Sequence, residues 1–140
     1  MPSGTIFSDE YATAAMAPQP GVVRYARTTS PFPSLEHMRA HYAALQEAMA
    51  GIAPAKLALL LDLRSAPARN DAAFETEAAR VVGTLVVPFR THAFLVRTAV
   101  GNLQVRRLSA NNGTPANQVF TDEAAAVAFL AGHGRDASPR

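Results

Sequence analysis

The stretch Leu57-Ala-Leu-Leu-Leu-Asp62-Leu-Arg64 decides the fold predicted for this chain. Five apolar residues, 57–61, stand in a row before the first charge. An unbroken apolar run of this length is typical of a strand that is covered on both faces, as in a parallel sheet. A polar loop follows, and a helical pattern begins at Asn70 or Asp71. Because ligands and partners of open α/β sheets bind at such strand-to-helix junctions, we expect the functional site here.

The composition predicts one soluble globular domain. The chain has 140 residues, of which 49% are hydrophobic and 17% charged, enough to bury a core and remain soluble. No apolar run approaches the roughly 18 residues that span a bilayer, and no signal-peptide pattern is evident, so we expect a cytoplasmic protein. The absence of cysteine excludes disulfides and thiol catalysis. The net charge of +2, with no basic run, argues against a nucleic-acid partner.

The hydrophobic periodicity predicts six strands and four helices in the order β-β-β-α-β-α-β-α-β-α. This order is typical of an α/β domain with a mixed sheet and about four helices packed against it. The domain is expected over residues 4–132, with flexible tails at 1–3 and 133–140. Helix caps are predicted at Ser34, Asp71 and Thr121. The predicted strands cover 4–8, 11–17, 22–28, 57–63, 91–97 and 118–120, and the helices cover 35–52, 71–86, 100–108 and 121–132.

This order, together with Leu60-Leu-Asp-Leu63 and the closing segment Val119-Phe-Thr-Asp-Glu-Ala-Ala-Ala-Val-Ala-Phe-Leu130, resembles the STAS-like superfamily. These are the anti-sigma-factor-antagonist-like domains and their lipid-binding relatives, and the resemblance covers roughly residues 4–131. In regulatory members, an Asp-Leu strand end is followed by an Asp-Ser-Ser-Gly motif whose serine is phosphorylated to control partner binding. The matching stretch here is Asn70-Asp71-Ala72-Ala73, which has no hydroxyl. Asp71 either supplies a permanent negative charge there or only caps the helix.

An anion- or partner-binding site is predicted from arginines at two strand ends. Arg64, Arg69 and Asn70 lie in the loop before the helix start at Asp71, and Arg97 ends the strand over 91–97. If these two strands are neighbours, both sets converge on the free amides of the helix start, a favourable place for a carboxylate or phosphate. The alternative is that these arginines pair with neighbouring acids (Asp62, Asp71 or Glu75).

The histidines do not compose a recognisable catalytic or metal site. His37 and His41 are four residues apart, a spacing that suits one metal ion. His37 falls nearly opposite the apolar helix stripe and His41 at its flank, so we interpret both as surface histidines. His92 is the only plausible general base near the sheet, but no partner can be assigned to it. We predict no catalytic residue, no metal and no cofactor.

Two functions are compatible with this sequence. The first is a non-catalytic interaction module of a bacterial regulatory system, which binds a partner protein through the loop and helix start at Arg64–Asp71. The alternative is a carrier for an apolar, acyl or lipid-like ligand with an acidic head, lined by Met38, Met49 and Phe74. Ordinary core packing is the interpretation we favour for these three residues, because the helices of such a domain must bury their apolar stripes anyway. Exposed edge strands near the N-terminus also make a homodimer reasonable.

Overall fold

The computed structural model describes residues 5–67, 71–97 and 118–135. Six strands form one sheet: β1 (Thr5–Ser8), β2 (Ala12–Met16), β3 (Val22–Arg27), β4 (Ala58–Asp62), β5 (Thr91–Leu95) and β6 (Val119–Phe120). Three α-helices lie within the described ranges: α1 (Leu35–Ala50), α2 (Ala72–Val86) and α3 (Glu123–Arg135). A 3-10 turn at Pro54–Lys56, not predicted from the sequence, leads into β4.

The sheet is mixed, as predicted, and its strands follow the chain order from β1 to β6. The pairs β1–β2 and β2–β3 are antiparallel, and the pairs from β3 to β6 are parallel. The expected number of helices was four, whereas the described residues contain three α-helices; the helix predicted over 100–108 lies outside those residues. The α/β class and the mixed sheet are therefore confirmed.

The strand β4 is buried on both faces. All five of its residues are buried, and the two sides of the strand belong to two separate hydrophobic clusters. Leu59 and Leu61 lie in the cluster with side chains of α1 and α2, whereas Leu60 lies in the cluster with α3. This explains the unbroken apolar run, because a strand that is covered by helices on both sides has no face in contact with solvent.

The first two helices cover one face of the sheet, and their starts are capped as predicted. The Ser34 side chain accepts from the His37 amide at the start of α1, and Asp71 accepts from the Ala73 amide at the start of α2, at 2.9 Å. Each of these caps satisfies one free amide of a first helical turn. The stripe predicted on α1 forms its buried face, with Met38, Tyr42, Leu45 and Met49 all buried.

The third helix packs on the opposite face. Ala126 and Leu130 are fully buried and share a cluster with Leu60 and Leu95. The predicted cap at Thr121 is wrong, because it is Asp122 that accepts a helical amide, from Ala125 at 2.9 Å. Either residue type caps well, so the pattern alone did not fix the position. The helix also continues to Arg135, beyond the predicted end at 132.

A buried carboxylate joins the first two helices. Glu77 of α2 accepts from Arg39 of α1 at 2.8 Å and from Arg80 one turn along its own helix. The hydrogen bonds from Arg80 and then Arg39 lower the pKa of Glu77 from 4.5 to about 2. The carboxylate therefore remains charged at all but strongly acid pH, and it links the two helices.

The strand β1 forms one edge of the sheet, and within the described residues it pairs only with β2. The homodimer expected from such an edge stays a prediction. Across the described ranges, the helices are too short or too polar to cross a membrane.

Truncation of a core leucine should be far more costly than truncation of an exposed valine. Leu45 lies on the buried face of α1 and is 0% exposed, so Leu45→Ala should lower the free energy of unfolding by about 2–5 kcal/mol. Val87 is 78% exposed, and Val87→Ala should change it by less than about 0.5 kcal/mol. Urea unfolding of both variants measures the difference, and equal losses would contradict this assignment of the core.

Candidate functional site

Four charged side chains meet where β3 and β4 end: Arg24, Asp62, Arg64 and Glu123, which we call the edge cluster. In the parallel register, Arg24 of β3 pairs with Leu60, so its side chain lies on the sheet face covered by α3. Asp62 is the last residue of β4 on that same face, and Glu123 is the first residue of α3. The topology therefore brings together residues that are up to 99 positions apart in the chain.

Asp62 anchors the edge cluster. Arg64 donates from Nε to Asp62 Oδ1 at 2.9 Å and from Nη2 to Oδ2 at 2.8 Å, which is the two-pronged geometry that suits arginine and carboxylate. The Arg64 backbone amide also donates to Oδ1, at 3.1 Å, and Arg24 donates to Oδ2 from the other side. The Asp62 side chain is only 10% exposed. It fixes both arginines in place.

Glu123 bridges the same two arginines on the solvent side. Its Oε2 accepts from Arg24 at 2.6 Å, and its Oε1 accepts from Arg64 at 3.0 Å. The side chains of Glu123 and Arg64 are 41% and 37% exposed. The edge cluster thus has an inner carboxylate that is held firmly and an outer carboxylate that is open to water.

The protonation of Asp62 follows from these contacts. Burial by itself would raise the pKa of this carboxyl, but the hydrogen bonds from the Arg64 side chain and backbone and the charge of Arg24 outweigh it and lower the pKa. Arg64 correspondingly has a raised pKa, chiefly through its hydrogen bond to Asp62. The cluster therefore carries two positive and two negative charges at neutral pH.

The other predicted partner-binding residues are distributed as follows. Asp71 caps α2 through the Ala73 amide, so the capping role is confirmed. Arg69 and Asn70 lie outside the described residues. Because β4 and β5 are parallel neighbours, Arg64 and Arg97 do follow strands that end at the same edge. Arg97 is exposed, and no salt bridge to it is found within residues 5–67, 71–97 and 118–135.

The residues predicted to line an apolar ligand pocket lie in the packed core. Met38 and Met49 are each 2% exposed and Phe74 is 9% exposed, and all three belong to the cluster between the sheet and the first two helices. An acyl chain at this place would have to open that packing. The carrier hypothesis stays a prediction, and we place it after the hypothesis of an interaction module.

The prediction that His41 is a surface residue is wrong. It is 3% exposed, with Nδ1 at 2.7 Å from Asp9 Oδ2 and Nε2 at 2.9 Å from the Tyr25 hydroxyl. The Tyr25 hydroxyl in turn donates to Tyr42, at 3.1 Å. The flank of the α1 stripe is covered by the loop between β1 and β2, and aromatic side chains surround the imidazole (Phe7, Tyr11, Phe32 and Tyr42). His37, by contrast, is exposed as predicted.

This series of hydrogen bonds, from Asp9 to Tyr42, is not accessible to a substrate. Tyr25 and Tyr42 are buried, and among the four groups only Asp9 is substantially exposed, with 31% of its side chain accessible. Burial lowers the pKa of His41 although Asp9 opposes the change, and burial raises the pKa of Tyr25 well above 10.0. The arrangement fastens the β1–β2 loop to α1 and offers no free nucleophile or base.

His92 lies in the middle of β5, beside Phe94, on the sheet face of α1 and α2. Its Nε2 is buried and has no hydrogen-bond partner within the described ranges. Burial lowers the pKa of His92 from 6.5 to about 4. The imidazole is therefore neutral at physiological pH. The possible role of His92 as a general base stays untested, and no acidic partner is found for it among the described residues.

A search of the described residues finds no group of three or more histidine, aspartate or glutamate side chains that could hold a metal ion. Comparison of the chain with protein-family models, with curated proteins and with solved structures finds no match. The resemblance to STAS-like domains accordingly stays a prediction from the sequence.

The stability of this protein should fall as His92 becomes protonated. With a folded pKa of about 4 against 6.5 in the unfolded chain, the unfolded state binds the proton first. The stability supplied by the neutral imidazole is complete above pH 6.5 and is lost as the pH falls toward 4, by at most about 3 kcal/mol. His92→Leu should flatten this part of the profile. Urea unfolding across the range measures it, and parallel profiles for the two proteins would contradict the prediction.

The contact between Asp9 and His41 should appear as an energetic coupling. A double-mutant cycle with Asp9→Asn and His41→Leu should give a coupling free energy of about 1–3 kcal/mol, because the two groups share a partly buried hydrogen bond. The matched control pairs Asp9→Asn with His37→Leu, whose side chain bonds Ser34 instead. Additive effects in the first cycle would show that the contact does not fasten the loop.

Proposed function

We propose that this chain is a non-catalytic protein-interaction module of a cytoplasmic bacterial regulatory system. The binding surface comprises Arg64, the start of α2 at Asp71 and the exposed side of the edge cluster. The observation that supports the proposal is that Arg64 is both fixed and accessible. Its guanidinium is held in place by Asp62, and its side chain is 37% exposed. A charged group that is fixed before binding loses little conformational entropy when a partner docks.

The position of this surface supports the proposal. It lies at the carboxyl ends of β3, β4 and β5, where open α/β sheets bind their ligands and partners. The positions of two histidines support it as well, since His41 is buried against Asp9 and Tyr25, and His92 lies within the sheet with its Nε2 buried. The resemblance of the strand end and closing helix to STAS-like regulators points in the same direction. The residues that match the family's phosphorylation motif, 70–73, contain no hydroxyl, so we expect no serine switch at the start of α2.

Charge reversal at Arg64 should weaken partner binding about tenfold, because a charge at the interface is then repelled instead of attracted. In the first step, the immobilised chain captures proteins from an extract of its own host. In the second step, titration measures the affinity of the captured protein for wild type and for Arg64→Glu. Asp71→Ser is the companion variant, since serine keeps the helix cap and removes the charge.

The matched control is Glu47→Lys, a charge reversal at an exposed position of α1. It should bind like wild type, and thermal melting should show that every variant is folded. Unchanged affinity in both Arg64→Glu and Asp71→Ser would refute the proposed surface.

A further inference from the structure

We propose that Arg24 and Arg64 form a carboxylate-binding cradle that Glu123 fills in the free chain, and that a Glu or Asp side chain from an acidic segment of the partner displaces it. This inference rests on the proposed function and specifies the chemistry of the partner. It follows from the bridging position of Glu123, whose two oxygens each accept from a different arginine.

The two arginines keep the positions that bind a carboxylate even when the Glu123 side chain moves away. Both are bound to Asp62, which is 10% exposed and also accepts from a backbone amide. Because Asp62 is held by these contacts, the guanidinium groups stay in position when Glu123 leaves. Arg24 Nη1 and Arg64 Nη2 then point at an empty acceptor position that two carboxylate oxygens fit.

Glu123 is easily displaced. Its side chain is 41% exposed, and ion pairs of this exposure contribute little to stability. The start of α3 does not depend on it, because the helical amide of Ala125 is capped by Asp122. The helix can therefore remain folded while the Glu123 side chain turns into solvent.

The charge that remains favours a single carboxylate. With Glu123 turned away, the cradle holds two arginines and one aspartate, a net charge of one positive. The amino-terminal end of α3 adds a partial positive charge nearby. One carboxylate neutralises this site, whereas a phosphate dianion leaves an excess of negative charge beside Asp62. We therefore assign an acidic protein segment as the ligand.

The test uses a fluorescently labelled hexaglutamate peptide and the full chain at low ionic strength. Glu123→Gln removes the carboxylate that competes with the peptide for the two arginines. This variant should bind the peptide about fivefold more tightly than wild type, which corresponds to about 1 kcal/mol of binding free energy. Arg64→Gln added to this variant should abolish the gain. Glu47→Gln removes the same charge from an exposed position of α1 and should leave the affinity at the wild-type value.

Three results would overturn the cradle. The first is an unchanged peptide affinity in Glu123→Gln. The second is an equal gain in peptide affinity in Glu47→Gln, which would show that net charge alone causes the effect. The third is that Glu123→Gln binds inorganic phosphate more tightly than it binds the peptide. The failure of this inference is distinguishable from that of the proposed function. Lost retention of the host protein in Arg64→Glu, with no peptide gain in Glu123→Gln, refutes only the cradle. A peptide gain in Glu123→Gln, with undiminished host-protein binding in both Arg64→Glu and Asp71→Ser, refutes the interaction surface and leaves only the binding of carboxylate by the two arginines.

Discussion

The double burial of β4 is the constraint on which the rest of the structure depends. A strand with apolar side chains on both faces needs a neighbour on each side and a helical layer above and below it. β3 and β5 supply the neighbours, α1 and α2 supply one layer, and α3 supplies the other. The first charged residue after the apolar run, Asp62, therefore falls where the covering ends and the solvent begins.

That position gives Asp62 its importance. A carboxylate that is 10% exposed must be compensated, and here two arginines and a backbone amide provide the compensation. The consequence is a pair of immobilised guanidinium groups at the carboxyl-terminal edge of the parallel strands. The same contacts that stabilise the end of β4 also make it a fixed, charged surface, so the stability of this strand end and the partner binding proposed for it depend on the same interactions.

The features that were predictable from the sequence are those carried by local patterns. The run 57–61, the stripe from Met38 to Met49 and the caps at Ser34 and Asp71 each depend on residues within a few positions of one another, and the structure confirms them.

What the sequence did not reveal are the contacts between distant residues. Asp9 and His41 are 32 positions apart, and Arg64 and Glu123 are 59 apart, so no spacing rule connects them. The prediction placed Arg64 correctly in the loop and paired it with Asp62 as one alternative, but it did not include Arg24 or Glu123. His41 was misjudged because a helical wheel shows which side of α1 faces the sheet and does not show that a loop covers its flank.

The order of the sheet has a consequence for how the chain folds during synthesis. Each strand from β1 to β6 lies beside its predecessor, so an emerging chain can add strands one after another without rearranging earlier pairs. The helix α3 breaks this sequence, because it returns from the end of β6 to cover β4 and β5. Leu60 and Leu95 consequently stay open on one face until Glu123–Arg135 has left the ribosome. An apolar sheet face that stays exposed in this way makes the unfinished chain prone to aggregation until the helix closes over it.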